Sequence, residues 1–563
     1  MPFISDDWQI LARVRAARFT ELLGGRELLW RWWRPWSREL HFWTLYRAFG
    51  ANEIAFHAAS LALWLAVLAL FFTLARRAAG ARAAAIACAG LAALAAWSGA
   101  LLWAAGVQDL WTLLWALVFL HAFARRTRPL GLVSLALALL SKETAALAPA
   151  IAGAWALAID REPARRALRR VAPYVALCAV WFAVHPTLKD RLFHPERLHA
   201  ELATHTAPLL VVALRTLGTP FNLQYAPKPE TGWVAVLAPA LPAIAAVTVL
   251  AAWAALGRGV AGGGRAVAAG GGHVIAAEGG HVIAAGRVIA LGAAWALLAW
   301  LPLFLPSIDW HPYYGLLGAM GAWLALSAWL ARAPALAIAV VLGVALLEPA
   351  QANTGVWSFS ASLYQRRQAY FVGRLRRELL AMHRRLPAHT RLYFSRVPNS
   401  IGLGYVWFSP AFSVWYGDST IRGGFWSSYR PRDAREPEAP DYFFRYDSTR
   451  VRWVEVASGL EDVAVARALD PRWREDHREL AALFARVQDW RAAAAEYAKL
   501  HAAFPDSVEF AYDAGVASEV AGDTALAARS YGAVLESPLA TEDQRAFARG
   551  FGARLRTRRR TLE

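Results

Sequence analysis

Ten apolar segments between residues 54 and 349 limit the fold more than any other feature of the chain. They cover about 54–75, 83–104, 109–124, 129–141, 144–159, 171–185, 233–256, 288–305, 313–331 and 333–349. A backbone crossing lipid must satisfy its own N–H and C=O groups, which leaves helices or closed barrels. Barrel strands need about 9–11 residues and helical spans about 17–25. These lengths therefore predict helices. The segments at 109–124, 129–141 and 144–159 are short, and read as tilted, broken or partly re-entrant. The composition agrees: 57% of residues are hydrophobic and 18% charged, against about 25% charged in soluble chains. The 27 Trp suit membrane–water boundaries, where an amphipathic ring finds both of its environments.

Loop charge orients the spans. One set of loops carries the basic residues from Arg76 to Arg332, including Arg125, Arg126 and Arg128, and the run Arg161 to Arg170. The opposite set carries fewer, among them Lys142, Lys189 and Arg215. The first set is expected to be cytoplasmic, with residues 350–563 extracytoplasmic. The net charge of +18 follows from these loops and the tail. No basic stripe carries a nucleic-acid motif, so nucleic acid is not an expected partner. Cys88 and Cys178 fall inside apolar runs and read as small hydrophobes.

Residues 1–53 form no span. Ser5-Asp6-Asp7-Trp8 leads into Ile10, Leu11, Val14, Phe19, Leu22 and Leu23 at helical spacing. Trp30-Arg31-Trp32-Trp33-Arg34-Pro35-Trp36-Ser37 suits a helix lying among lipid headgroups. Arg34 is a candidate phosphate contact, since guanidinium matches phosphate geometry; the alternative is anchoring alone.

Residues 271–277 and 279–285 repeat Gly-Gly-His-Val-Ile-Ala-Ala. This reads as a tandem duplication in a loop rather than a metal site. After 350 the chain turns soluble. Strand-like runs at 392–394, 413–416, 442–444 and 451–454 predict a small α/β module over 350–470. Residues 474–540 show a 34-residue period with Ala481, Phe484, Ala493, Tyr497, Gly515, Gly522, Ala527 and Tyr531 on the pattern of a tetratricopeptide repeat, within a helical array over 471–563. Such arrays bind protein partners on a concave face. The expected fold is thus mainly α: a polytopic membrane domain of about ten spans, an α/β module and a repeat array.

The polar groups at the outward ends of the spans are Asp6 and Asp7, Gln108-Asp109, Ser141-Lys142-Glu143, and Asp309 with His311. Charge at a membrane boundary is expensive and marks function by default. A carboxylate there can act as general base for an incoming hydroxyl. A second can hold a divalent metal ion or orient the first. Lys142 and a nearby Arg can neutralise a leaving phosphate. The plain alternatives are helix capping by Asp6 or Asp7 and a local ion pair at Lys142-Glu143.

Phe3-Ile-Ser-Asp-Asp-Trp8, Arg34-Pro-Trp-Ser37, Phe49-Gly50 and His57 together resemble the start of bacterial membrane glycosyltransferases of the GT-C superfamily. These are relatives of dolichyl-phosphate-mannose–protein mannosyltransferases, often fused to tetratricopeptide repeats. Gly106-Val-Gln-Asp-Leu110 and Leu139-Leu-Ser-Lys-Glu143 resemble two further motifs of that group. The resemblance implies Asp6 or Asp7 as catalytic base. It also implies a donor-phosphate or metal region at Lys142 and Glu143, and an apolar helix ahead of the acidic motif. Val107 stands where the group usually has Arg. Pro306–Tyr314 keeps an aromatic pair, with Asp309, His311 and Tyr313 as candidate donor or acceptor contacts. The expected function is transfer of a sugar from a polyprenyl-phosphate donor to an extracytoplasmic protein or glycan acceptor. The alternative is a non-catalytic membrane scaffold whose repeats recruit envelope partners.

Overall fold

The computed structural model describes residues 1–24, 32–188, 208–225, 274–276, 282–304, 310–352, 362–398, 403, 408–456 and 472–562. The chain is mostly helical and divides into two compact units, Met1–Tyr370 and Phe371–Glu563.

Among the described residues of the first unit, five helical stretches are long and apolar enough to cross a membrane: Glu53–Ala92, Ala104–Ala124, Ala164–Val184, Ala285–Phe304 and Pro312–Leu330. Shorter apolar helices run over Arg128–Leu139, Glu143–Ala158, Leu209–Phe221 and Pro334–Glu348. The expected segment at 233–256 lies outside the described residues. Twelve helical residues at 128–139 rise only about 18 Å, less than the ~30 Å of a hydrocarbon core. Large apolar side chains face outward on several of these helices, including Ile54, Leu65, Leu168, Val180 and Leu297. A water-soluble surface would not place them there together; a lipid-facing one does.

The stretch Glu53–Ala92 is a hairpin rather than one rod. Gly80 has φ 82° and ψ 167°, a backbone state that L side chains rarely adopt. Cys88 Sγ lies 3.6 Å from the Leu68 carbonyl, 20 positions away in sequence. In a straight helix those positions stand about 30 Å apart. The expected loop with Arg76, Arg77 and Arg82 is therefore helical on both sides of Gly80. His57 marks the opposite end of the hairpin, where its ring nitrogens meet the carbonyls of Leu101 at 3.1 Å and Met1 at 2.9 Å.

The N-terminal segment departs from the expected interfacial helix. Asp6–Ala16 is helical and buries Ile10, Leu11 and Val14, while Phe19 and Leu23 remain half exposed. Trp30 and Arg31 lie outside the described residues. Trp32–Arg34 is not helical, because the residue before a proline is driven out of the helical region; Arg34 has φ −133° and ψ 58°. A π-helix over Pro35–Leu40 follows. The duplicated loop sequence folds back on itself as an antiparallel pair, β1 (Val274–Ala276) with β2 (Val282–Ala284). Its two His lie outside the described residues.

The second unit carries a four-stranded sheet made of β3 (Arg391–Ser395), β4 (Arg422–Phe425), β5 (Asp441–Asp447) and β6 (Arg452–Glu455), in the order β4-β3-β5-β6. The first three are parallel and β6 runs antiparallel to β5. One expected strand is wrong: 413–416 belongs to the helix Phe408–Tyr416. Phe408, Ala411 and Phe412 are its buried residues, a helical spacing that a reading limited to 413–416 did not reach. The true neighbour is β4, whose Gly-Gly centre hides strand propensity.

Six helices follow from Trp473 to Leu562. Asp489 caps the second by accepting from the Ala492 N–H at 3.2 Å, and Asp523 caps the fourth by accepting from Leu526 at 2.9 Å. These caps stand one 34-residue period apart. The preceding positions, Gln488 and Gly522, both have positive φ, 62° and 84°. The repeat in sequence is thus also a repeat in backbone conformation.

Candidate functional site

The acidic motif is set by a strained entry. Ser5 has φ 50° and ψ −118°, and such a state in a non-Gly residue persists only where surroundings enforce it. Asp7 supplies part of that enforcement. It is 1% exposed. Its Oδ2 accepts from the Ile4 N–H at 2.9 Å and its Oδ1 from the Ala105 N–H at 2.7 Å. Asp7 therefore locks the N-terminal turn to the segment before Val107.

Asp6 is different. It is only partly buried, and among the described residues nothing hydrogen-bonds its carboxylate. Burial pushes its pKa up to about 7, while the charges of Arg38 and Arg34 pull it down. Burial pushes Asp7 up to about 8 against the pull of its backbone N–H donors. Both groups bind a proton more tightly folded than unfolded. Their stabilisation is complete below the unfolded carboxyl range near 4 and is lost as pH rises through about 7 to 8. Thermal unfolding in detergent is expected to show stability falling over that window, and Asp7→Asn to flatten the fall. An unchanged pH profile in the variant would count against this role of Asp7.

Around Asp6 the structure gathers residues from distant parts of the chain. Arg34 forks onto Glu143, with Nη2 donating to Oε2 at 2.7 Å and Nε to both oxygens at 3.2 Å. Its Nη1 donates to Gln108 Oε1 at 3.0 Å. Gln108 Nε2 donates to the Ala105 carbonyl at 2.8 Å, the residue whose N–H reaches Asp7. A chain of hydrogen bonds thus runs from Asp7 to Glu143. Lys142 Nζ donates to Asp109 Oδ1 at 2.5 Å and sits 4.2 Å from the Tyr314 ring centre. Tyr313 stacks on His311 with ring centres 5.3 Å apart. Gly99 makes room for it, since a Cβ there would lie 2.4 Å from Tyr313 Cδ1. The Arg34-Pro-Trp-Ser segment docks directly on Leu140-Ser-Lys-Glu: Trp36 N–H donates to the Leu140 carbonyl at 3.2 Å and Ser37 Oγ to the Ser141 carbonyl at 2.7 Å.

Asp6, Asp7, Arg34, Gln108, Asp109, Lys142, Glu143, His311 and Tyr313 therefore belong to one neighbourhood; Asp309 lies outside the described residues. At the far end of the same helices Arg77 reaches the Ala124 carbonyl at 2.7 Å and Arg126 pairs with Glu162 at 2.8 Å. These arginines thus lie at the opposite end of the helices from the charged cluster. The guanidinium of Arg34, the candidate phosphate contact, is held by Glu143 and Gln108.

No family model, curated protein or solved structure matches the chain. The site has to be read from its own geometry.

That geometry includes a cavity of about 590 Å³ beside the charged cluster. Arg34, Lys142 and Glu143 form its polar wall, and Leu147, Val175, Ala179, Phe182 and Leu303 are among its apolar ones. Sequence reading missed this apolar wall, because it comes from helices far apart in the chain. Among the described residues no three His, Cys, Asp or Glu side chains gather as a metal centre. Asp109 and Glu143 are each committed to a cation. As arranged, these two carboxylates do not make a ligand set for a divalent ion.

Proposed function

We propose that the chain is an integral membrane glycosyltransferase that moves a sugar from a polyprenyl-phosphate donor to an extracytoplasmic protein or glycan acceptor. The observation that carries this reading is the largely apolar cavity with one charged wall, in the same neighbourhood as an unbonded carboxylate. An isoprenoid tail fits the apolar walls, and a phosphate fits the wall of Arg34 and Lys142. Asp6 accepts the proton of the acceptor hydroxyl as its oxygen bonds to the anomeric carbon. The carbon–oxygen bond to phosphate breaks on the other side. The departing phosphate takes that electron pair, and Lys142 and Arg34 offset its charge. Asp7 positions the motif and takes no proton from substrate.

The same proposal includes ten membrane passes, a bacterial inner-membrane location with the site outside the cytoplasm, and a tetratricopeptide-like array that docks an acceptor or partner protein. The recurrence of cap and positive-φ residue at 34-residue spacing supports the array. One observation favours the scaffold reading instead: Arg34 and Lys142 are each already neutralised by a carboxylate, as in a purely structural cluster.

The cavity supplies a test. Ala179→Trp places an indole in the space assigned to the lipid tail. We expect KM for a labelled polyprenyl-phosphate sugar to rise about tenfold, near the value of one or two lost apolar contacts, with an unchanged unfolding temperature. Equal KM in variant and wild type would remove the tail from this cavity. Absence of transfer by the wild type with every donor sugar tried would leave the scaffold.

A further inference from the structure

The second unit contains a cleft of about 720 Å³ that the transfer reaction does not use. It opens on the parallel part of the sheet. Arg422 on β4 is the register partner of Arg391 on β3, and Arg391 is the partner of Asp441 on β5. Adjacent strands stand about 5 Å apart, and partnered side chains share a face. Arg391 forks onto Asp441, and Arg432 donates to the same carboxylate at 2.7 Å. Two guanidiniums thus share one carboxylate. Arg422 and Arg430 also line the cleft; both are exposed and neither has a partner among the described residues. Like charges placed side by side across strands destabilise a sheet, and Asp441, shared between Arg391 and Arg432, leaves Arg422 beside Arg391 without a carboxylate of its own. Two further carboxylates line the cleft: Glu436, 48% exposed and 3.5 Å from Arg391, and the exposed Asp433, which accepts from the Arg435 N–H. The serine and threonine hydroxyls of the cleft are committed elsewhere, with Ser428 donating to the Phe425 carbonyl, Ser409 to the Gly423 carbonyl and Thr420 to Asp418.

We propose that this cleft binds the phosphomonoester of a sugar-sized polar molecule, with Arg422 and Arg430 as the phosphate ligands. Two unpartnered guanidiniums call for about two negative charges. A phosphomonoester carries roughly −1.5 to −2 at pH 7, and a carboxylate carries one. Paired forks suit phosphate oxygens geometrically. The cleft is far larger than a phosphate and falls in the usual range of small-ligand sites, about 300–1,000 Å³, so the rest of the ligand fills it. Binding here is independent of transfer in the first unit.

The test is calorimetric titration of the full chain in detergent with glucose 6-phosphate, inorganic phosphate, glucuronate and glucose. Glucose 6-phosphate is expected to bind, and the other three at least tenfold more weakly. Arg422→Gln and Arg430→Gln should each weaken glucose 6-phosphate about tenfold, and Arg529→Gln, an exposed arginine on another helix, should not. Because Arg422 and Arg430 are exposed, their variants should keep the wild-type unfolding temperature; if either does not, Arg422→Lys, which keeps charge but loses the fork, is the deciding variant and should still weaken binding. No binding of glucose 6-phosphate overturns the proposal, and so does binding that survives both substitutions. Glucuronate binding as tightly overturns the dianion argument, and inorganic phosphate binding as tightly overturns the sugar-sized ligand.

Discussion

Asp6→Asn is expected to lower sugar transfer by about 10²–10⁴-fold, the usual contribution of a positioned general base, without lowering the unfolding temperature. Asn keeps the shape of the side chain and removes its capacity to take a proton. Asp6 makes no hydrogen bond among the described residues, so the fold loses nothing that Asn cannot replace. Asp7→Ala should behave in the opposite way. It strips two buried N–H donors, at Ile4 and Ala105, of their acceptor, and each such loss costs roughly 1–3 kcal/mol. Folded yield should fall before catalysis can be compared. The pH dependence follows from the same carboxyl. A base with a pKa raised to about 7 works only when ionised, so transfer should climb as pH rises through 7 and then level off. The measurement is initial rate against pH with a labelled donor in membranes. A flat profile between pH 6 and 8, or full activity in Asp6→Asn, would remove Asp6 from the reaction.

Glu143→Ala carries the largest expected effect on stability. Arg34 and Glu143 are 13% and 14% exposed in their side chains, so the pair is close to fully withdrawn from water. Removing one partner of such a pair strands the other charge and costs about 3–5 kcal/mol. Glu143→Gln should cost less, since the amide oxygen still accepts from Arg34. A double substitution, Arg34→Met with Glu143→Met, should recover much of the loss, because a buried ion pair is often no more stable than an apolar replacement. Thermal unfolding of wild type, Arg34→Met, Glu143→Met and the double variant in one detergent forms the cycle, with Glu143→Ala and Glu143→Gln measured beside it. If Glu143→Ala unfolds at the wild-type temperature, the ion pair does not hold the motifs together.

The sequence exposes the members of the charged cluster more readily than their bonds. Apolar run lengths fix helices, and polar residues at run ends stand out against them. Asp6, Gln108, Lys142 and Glu143 were therefore visible as one group. Their division of labour was not. Asp7 differs from Asp6 by facing Ile4 and Ala105 instead of the cluster, and a neighbouring identical residue carries no trace of which way it points. The bond from Arg34 to Glu143 leaves no trace in the sequence because the two stand 109 positions apart. The apolar cavity was hidden for the same reason. In the second unit the strands at 392–394 and 442–444 were legible from aromatic density, while β4 was not, since two of its four residues are Gly.

The reversal at Gly80 also sets the bookkeeping of sides. His57 and Leu101 lie together at the end that holds Met1, so the chain leaves that end, turns at Gly80 and comes back before Val107 begins the next helix. The acidic motif and Gln108 with Asp109 therefore come to the same end of the hairpin, which is why they can meet. Gly80, at φ 82°, makes that return possible. Were position 80 to take an ordinary helical conformation, the second arm would run on away from Met1 and carry Gln108 and Asp109 far from Asp6.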